Sequence, residues 1–465
     1  MASFRIFSFL FFILAALSGV AATVQWSPPT TVGSEAAGGT RETPRITSDR
    51  FGNAAAAWIQ SVSSGSSDRA VFVSYYPSGG GWEPAVALES GIVSGNDVDL
   101  CIDENGNVTV AWTHSAAPSR VHSVFRPYGS NSWGAIQTVS DAGAGINTYE
   151  KISVACTALN TQAVVVWEDT TSGGEMLLTN FRSGSSSWLF PINAPVALPF
   201  PVGGGSPLDR PIVKMLANGT AQTAYLLTGF PGANDLFYSE ALTPGVWSTQ
   251  IPLGVDISMI LFDFDTNSSG DAIAVVRNAS SSQTVTRVNG TWGTPQTQTG
   301  ITNPTEFWVG LDDNGLATGL WQLSGSTNSF SYNTINSASP ITTTSWIPTG
   351  TTPPTISSTF TIENPLLAVS PKGNRLIVWR EDSSTDPVYA RLGAGAFLDP
   401  QVFLIDLNGQ PIEASISDSG RGFALWTDLI GGLKLPEIAQ TFDPTENLVR
   451  ALGKKRLINQ RTRYP

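Results

Sequence analysis

One signature recurs along the chain and limits what it can become. An Asp-, Asn- or Ser-led turn carrying Gly or Asn is followed by small and β-branched residues that end on a large apolar one. Its copies are ITSDRFGNAAAAW (ending at Trp58), CIDENGNVTVAW (Trp112), ACTALNTQAVVVW (Trp167) and VKMLANGTAQTAY (Tyr225). Then come FDFDTNSSGDAIAVV (Val276), GLDDNGLATGLW (Trp321), LAVSPKGNRLIVW (Trp379) and ASISDSGRGFALW (Trp426). By subtraction, the end points lie 54, 55, 58, 51, 45, 58 and 47 residues apart. Each copy reads as two strands joined by a tight turn, because Gly and Asn tolerate the positive φ that such turns demand.

After each hairpin comes a polar loop and a third strand, as in RAVFVSYY, RVHSVFRPY, EMLLTNFR and DPVYARL. A Gly/Ser turn and a Trp-led strand follow, as in WEPAVALES, WGAIQTVS, WSTQIPLG and WGTPQTQTG. Four short strands in about 50 residues, repeated, is the pattern of a β-propeller, whose small sheets bury their faces only against one another. The expectation is an all-β chain forming a single closed β-propeller of eight four-stranded blades, or seven if the degenerate middle units merge. The hairpin ending at Trp426 is followed by a third strand, LKLPEIAQTFD, and by no Trp-led fourth one. The chain has a Trp-led strand to spare near its start, VQWSPPTTV. The N-terminal strand is therefore expected to complete the last blade, which leaves no free sheet edge.

The repeat resembles those of exported bacterial β-propellers, of the kind D-x-x-G-N-A-x-A-V-W, and loosely those of NHL and sialidase-type propellers. That resemblance covers almost the whole chain and speaks to folding. It is not the sialidase Asp-box, since Trp112 lies six residues after Gly106 rather than about three.

The first residues, MASFRIFSFLFFILAALSGVAATVQW, carry one basic residue, an apolar run and then small residues, as a secretory signal peptide does. Cleavage is expected near Ala22, and the run is shorter than the roughly 20 apolar residues that span a bilayer. The expected organisation is thus a signal peptide at 1–22, a propeller at 23–446 and a basic tail at 447–465, in a protein that is secreted, periplasmic or at the cell surface. Charged residues are 13% and the net charge is −12. An acidic chain of this kind is a poor match for nucleic acid. The tail concentrates Arg450, Lys454, Lys455, Arg456, Arg461 and Arg463, and reads as solvated or as docking on an acidic surface.

Several residues are candidates for more than folding. Cys101 and Cys156 each lie eleven residues before their Trp. Equivalent side chains point the same way round a ring, so free buried thiols are expected, at Cα separations beyond the roughly 7 Å that a disulfide spans; a disulfide, which an oxidising export compartment favours, is the alternative. Asp263, Asp265, Asn267 and Asp271 offer oxygens at alternating positions around a turn, as a calcium loop does. They look like the calcium loop of integrin-type propellers, although Ser268 replaces its Gly, and they equally fit an ordinary turn with two extra serines. His114 and His122 have no His or Cys at ligand-like spacing, so zinc is not expected.

Residues just after the second strands should surround a channel mouth, Glu168, Asp169, Arg277, Arg380, Glu381 and Asp428 among them. They form the candidate ligand site. No nucleophile signature accompanies them. The expected function is a non-enzymatic exported scaffold that binds a protein or glycan through that face. The alternatives are a sialidase-like glycosidase or lyase using paired carboxylates, and a structural envelope component.

Overall fold

The computed structural model describes residues 25–26, 30–31 and 41–442. Within the last range, 62–67, 93–96, 115–119, 142–151, 158–161, 172–173, 185–186, 191–195, 199–205, 208–210, 231–232, 256–260, 278–280, 337–345, 347–352, 383–387, 395, 398–400, 404–409 and 431–432 lie outside the description. The proposed signal peptide and basic tail also lie outside it. Among the described residues every element is a β-strand, and the strands pair antiparallel into eight sheets that follow one another along the chain.

The second sheet shows the plan. Its strands Val98–Ile102, Val108–His114, Arg120–Arg126 and Gln137–Asp141 pair in chain order. The register places Val98 opposite Trp112, and Trp112 opposite His122. In unit 29–438, Thr30–Thr31 pairs with Glu437–Ile438 of the last sheet's third strand. In the unit formed by the two terminal segments, Gln25–Trp26 pairs with Thr441–Phe442. The leading segment therefore supplies the strand that the final repeat lacks.

The turn between first and second strands explains the repeated letters. The Oδ1 of Asp103 accepts the backbone N–H groups of Asn105 and Asn107, both at 2.9 Å. Asp49, Asp312 and Asn267 do the same in their own sheets. Gly106 sits at φ +80°, and a Cβ there would meet the Tyr128 ring at 2.6 Å. Asn107 then accepts the Tyr128 N–H, which ties the hairpin to the third strand. Asn53 serves Ser78 in the same way. Asp-x-x-Gly-Asn is thus one connected polar device, each residue type chosen by a bond it makes.

Among the described residues, the Trp that ends a hairpin fills the space between consecutive sheets. Trp112 packs against Ala55, Ala57 and Ile59 of the sheet before it. Trp167 packs with Ala111, Trp321 with Ile273 and Val275, and Trp58 with Phe423 and Leu425 of the eighth sheet. Tyr225 and Val276, in the two most divergent repeats, are just as buried. The run of alanines before Trp58 therefore has a packing reason: small residues leave room for the next sheet's indole.

The leading Trp of each outer strand differs from the expectation. Trp247 and Trp292 belong to two-residue strands, Val246–Trp247 and Thr291–Trp292. The outer strand resumes only at Ile251 and Gln296. Trp82 and Trp133 precede Val86–Ile92 and Gln137–Asp141 altogether. Pro and Gly just after these Trp residues, as at Pro84, Gly134 and Pro295, interrupt the ladder.

The cysteines also differ from the expectation. Cys101 and Cys156 form a disulfide with Cα atoms 5.8 Å apart, and are not free thiols. They sit on the first strands of consecutive sheets, Val98–Ile102 and Ile152–Cys156. These strands approach each other closely enough for a side chain on one to reach the other's backbone (Val154 N–H to Asp99 at 2.7 Å). Equal register then brings the two Cβ atoms together rather than holding them apart.

Two outcomes test this packing. Trp167→Ala should cost about 3–5 kcal/mol, read as a lower denaturant midpoint, because a fully buried indole between sheets is replaced by a cavity. Cys101→Ser paired with Cys156→Ser should cost up to about 4 kcal/mol, the chain-entropy value for a loop of this length. Reductant should reproduce that loss in the native protein and not in the double variant.

Candidate binding cavity

The first strands of all eight sheets, with the turns that follow them, line one cavity of about 1100 Å³. Its charged lining is Asp99, Asp103, Glu104, Asp263, Asp265, Asp313, Glu413 and Asp418 against Arg50, Lys214 and Lys372. Eight carboxylates less three cations leave −5.

Most of these carboxylates also hold neighbouring sheets together. Asp99 accepts the Val154 N–H of the next sheet at 2.7 Å, Asp263 accepts Val309 N–H at 2.7 Å, and Asp265 accepts Leu311 N–H at 2.8 Å. Glu413 accepts the Ile46 N–H of the first sheet. Lys214 pairs with Asp265 at 2.8 Å. Around the turns, Arg50 pairs with Glu104 at 2.7 Å, Asp313 accepts Ser268 N–H at 2.8 Å, and Asp418 accepts Lys372 N–H at 3.0 Å. A first strand used as a wall has unpaired N–H groups on its inner edge, and these carboxylates satisfy them.

The electrostatics follow from that recess. Desolvation pushes the Asp263 carboxyl up to about 6, outweighing the Val309 N–H and Lys214, while neighbouring Asp265 adds to the rise. For Lys214, burial works to lower the ammonium, but the Asp265 carboxylate prevails and holds it above the ordinary value.

The calcium-loop reading meets this geometry residue by residue. Asp263 and Asp265 are spent on Val309, Leu311 and Lys214. Asn267 accepts two N–H groups of its own turn, and Asp271 accepts Asn289 N–H at 2.8 Å, the service Asn107 gives Tyr128. The stretch is the same hairpin turn as in the other sheets, and its four side chains point to four different tasks. Among the described residues, no cluster of three possible ligands includes them.

The residues expected at a channel mouth sit at the far ends of the second strands. Glu168 and Asp169 are buried at the end of Ala163–Thr171. Arg277 donates to the Thr305 carbonyl, and Arg380 pairs with Glu363. Glu381 is buried, and Asp428, on Gly422–Ile430, has a side chain outside the described ones. None of the five with described side chains lines the cavity, which draws on first strands and hairpin turns, the opposite end of each second strand. The lining acids were present in the repeat; what hid them is that alternation along a first strand does not tell an inner edge from an outer one.

The structure also joins Glu89, His114 and His122, whose possible ligand atoms all lie within 4.8 Å of one another. No helix among the described residues is long and apolar enough to cross a membrane.

No protein-family model matches the sequence, and no curated protein does. Among solved structures, the chain is similar to a protein of unknown function from Dyadobacter fermentans, at 9% identity and a TM-score of 0.43, over 91% of this chain and 99% of that one. It is similar to YCF48 bound to D1 peptide, at 14% identity and 0.42, over 74% and 90%. It is also similar to the α-L-arabinofuranosidase Arb93A of Fusarium graminearum with an iminosugar inhibitor, at 11% and 0.40, over 68% and 97%. YCF48 and the arabinofuranosidase are β-propeller proteins. Likeness of this size bears on neither the chemistry nor the partner of this chain.

Titration of Asp263 has a sign that can be measured. Its folded value is raised from 3.8 to about 6, so the folded state binds the extra proton between those limits. Wild-type stability should therefore fall, relative to Asp263→Asn, as pH rises from 3.8 through about 6. Guanidinium midpoints of both proteins at half-unit pH steps give the difference; a constant difference across that window would contradict the assignment.

Proposed function

We propose that the chain is a closed, eight-bladed β-propeller, exported by its N-terminal segment, that acts as a non-enzymatic scaffold for a protein partner. A basic segment of that partner is what the acidic cavity takes. The observation that carries this reading is the cavity itself, about 1100 Å³ with eight carboxylates and three cations in its lining. Walls of one predominant sign around a recess concentrate the field and draw in the opposite charge. Closure is supported by the first and eighth sheets, which pack on Trp58, Phe423 and Leu425 and share the Ile46–Glu413 and Ser48–Ser415 hydrogen bonds.

Binding rather than catalysis is favoured by how the acids are used. Asp263 titrates in a useful range, yet its Oδ1 accepts Phe264 N–H at 2.9 Å and its Oδ2 accepts Val309 N–H. A carboxylate held on both oxygens by backbone is a poor proton carrier. Glu104, Asp313 and Asp418 lie at the turns, where an incoming chain would meet them first.

Fluorescence anisotropy of a labelled lysine-rich decapeptide tests this. Binding is expected at 20 mM NaCl and should weaken at least tenfold at 200 mM. It should weaken similarly in the combined Glu104→Gln, Asp313→Asn, Asp418→Asn variant, whose amides keep the acceptor oxygens for Ser268 and Lys372. No binding at low salt, binding indifferent to the variant, or binding of neutral oligosaccharides instead would sink the proposal.

A further inference from the structure

We infer that Glu89, His114 and His122 form a binding site for a borderline transition-metal cation, Zn²⁺ being the natural occupant. The site stands apart from the central cavity and does not depend on what the cavity binds.

His114 closes the strand Val108–His114, and His122 sits on the next strand, Arg120–Arg126. The register pairs His114 with Arg120, so His122 is its diagonal neighbour on the same face. The two imidazoles stack at 5.4 Å and 15°. Glu89 arrives from the first sheet's outer strand, Val86–Ile92. Its Oε2 lies 2.7 Å from His122 Nδ1 and accepts the Trp112 indole N–H at 2.6 Å. One donor atom from each of the three residues falls within 4.8 Å of the others. The Nδ1 of His114 is buried with no hydrogen-bond partner. A buried ring nitrogen without a partner is costly in a folded protein and is what a cation would satisfy.

The donor set fits the metal. Two imidazoles and one carboxylate are ligands that Zn²⁺ accepts with a fourth position left to water, and hard cations such as Mg²⁺ would want oxygens instead. The Trp112 N–H orients Glu89, the outer-shell support common at metal sites. Coordination through His122 Nδ1 would require the neutral ring to carry its proton on Nε2, and Glu89 Oε2 would turn from His122 to the ion. The ion would then bridge two consecutive sheets at their outer edge.

Tag-free protein, stripped with chelator and desalted, is titrated with ZnCl₂ against a chromophoric chelator. One equivalent should bind with a Kd of micromolar or below, and the melting temperature should rise with free zinc. His114→Gln and His122→Gln should each weaken binding at least 100-fold, and Glu89→Gln at least tenfold. Co²⁺ should give the visible absorption of a four-coordinate site, absent in the His variants. A variant counts only if its metal-free melting temperature stays near wild type; where His122→Gln unfolds, the His114→Gln protein and its Co²⁺ spectrum decide. No stoichiometric zinc binding, or binding and Co²⁺ colour unchanged in His114→Gln, would overturn the site.

Discussion

Everything in this molecule depends on the contact between one sheet and the next. A four-stranded antiparallel sheet of some fifty residues has two faces and no helix to cover either. Among the described residues, the gap is closed by large side chains at the ends of the second strands, set against small or aliphatic neighbours, as Trp112 is against Ala55 and Ala57, or against another ring, as Trp379 is against Phe330. The hydrophobic term is large, since each indole is removed almost wholly from water. It is also directional in effect: a Trp needs a site of small residues, so each repeat must carry both the ring and the room for its neighbour's ring.

A second layer of order lies on the first strands. Their inner edges expose backbone N–H groups that no further strand pairs. Carboxylates from the neighbouring sheet meet that need at Val154, Val309, Leu311 and Ile46. The acidic character of the cavity is therefore partly a structural necessity. What is left over, in sign and in volume, is available for recognition. In the proposed binding role the same residues serve both ends, so wall variants confound the two; amides at Asp313 and Asp418 keep the acceptor oxygens for Ser268 and Lys372 and remove only charge.

The strand plan, the turns and the loan of the leading segment to the last sheet were legible because each has a local chemical signature. Asp103, Gly106 and Asn107 announce their bonds in their order along the chain. The site was less legible, for reasons that are geometric. Whether Cys101 meets Cys156 depends on how closely two first strands approach, which residue spacing does not encode. His114 and His122 look unrelated at a separation of eight, and become neighbours only through the hairpin register that pairs Trp112 with His122. Asp263 and Asp265 resembled a calcium loop because two carboxylates flank a turn, yet their partners come from other sheets.

One position on the first strand, eleven residues before the large apolar residue that ends each repeat's hairpin, carries a lesson of its own. It holds Cys101 and Cys156 in one pair of sheets, and Lys214 and Asp265 in the pair formed by the two sheets that follow. A covalent bond and an ion pair thus occupy the same mechanical station, interchangeable rivets on one seam design. At the sixth sheet that station is Gly310, and a Cβ there would meet Val369 at 2.4 Å. The neighbour already fills the slot, so no rivet fits between the sixth and seventh sheets. One station thus fastens its neighbours in different ways: a covalent bond between the second and third sheets, an ion pair between the fourth and fifth, and close packing of Gly310 on Val369 between the sixth and seventh.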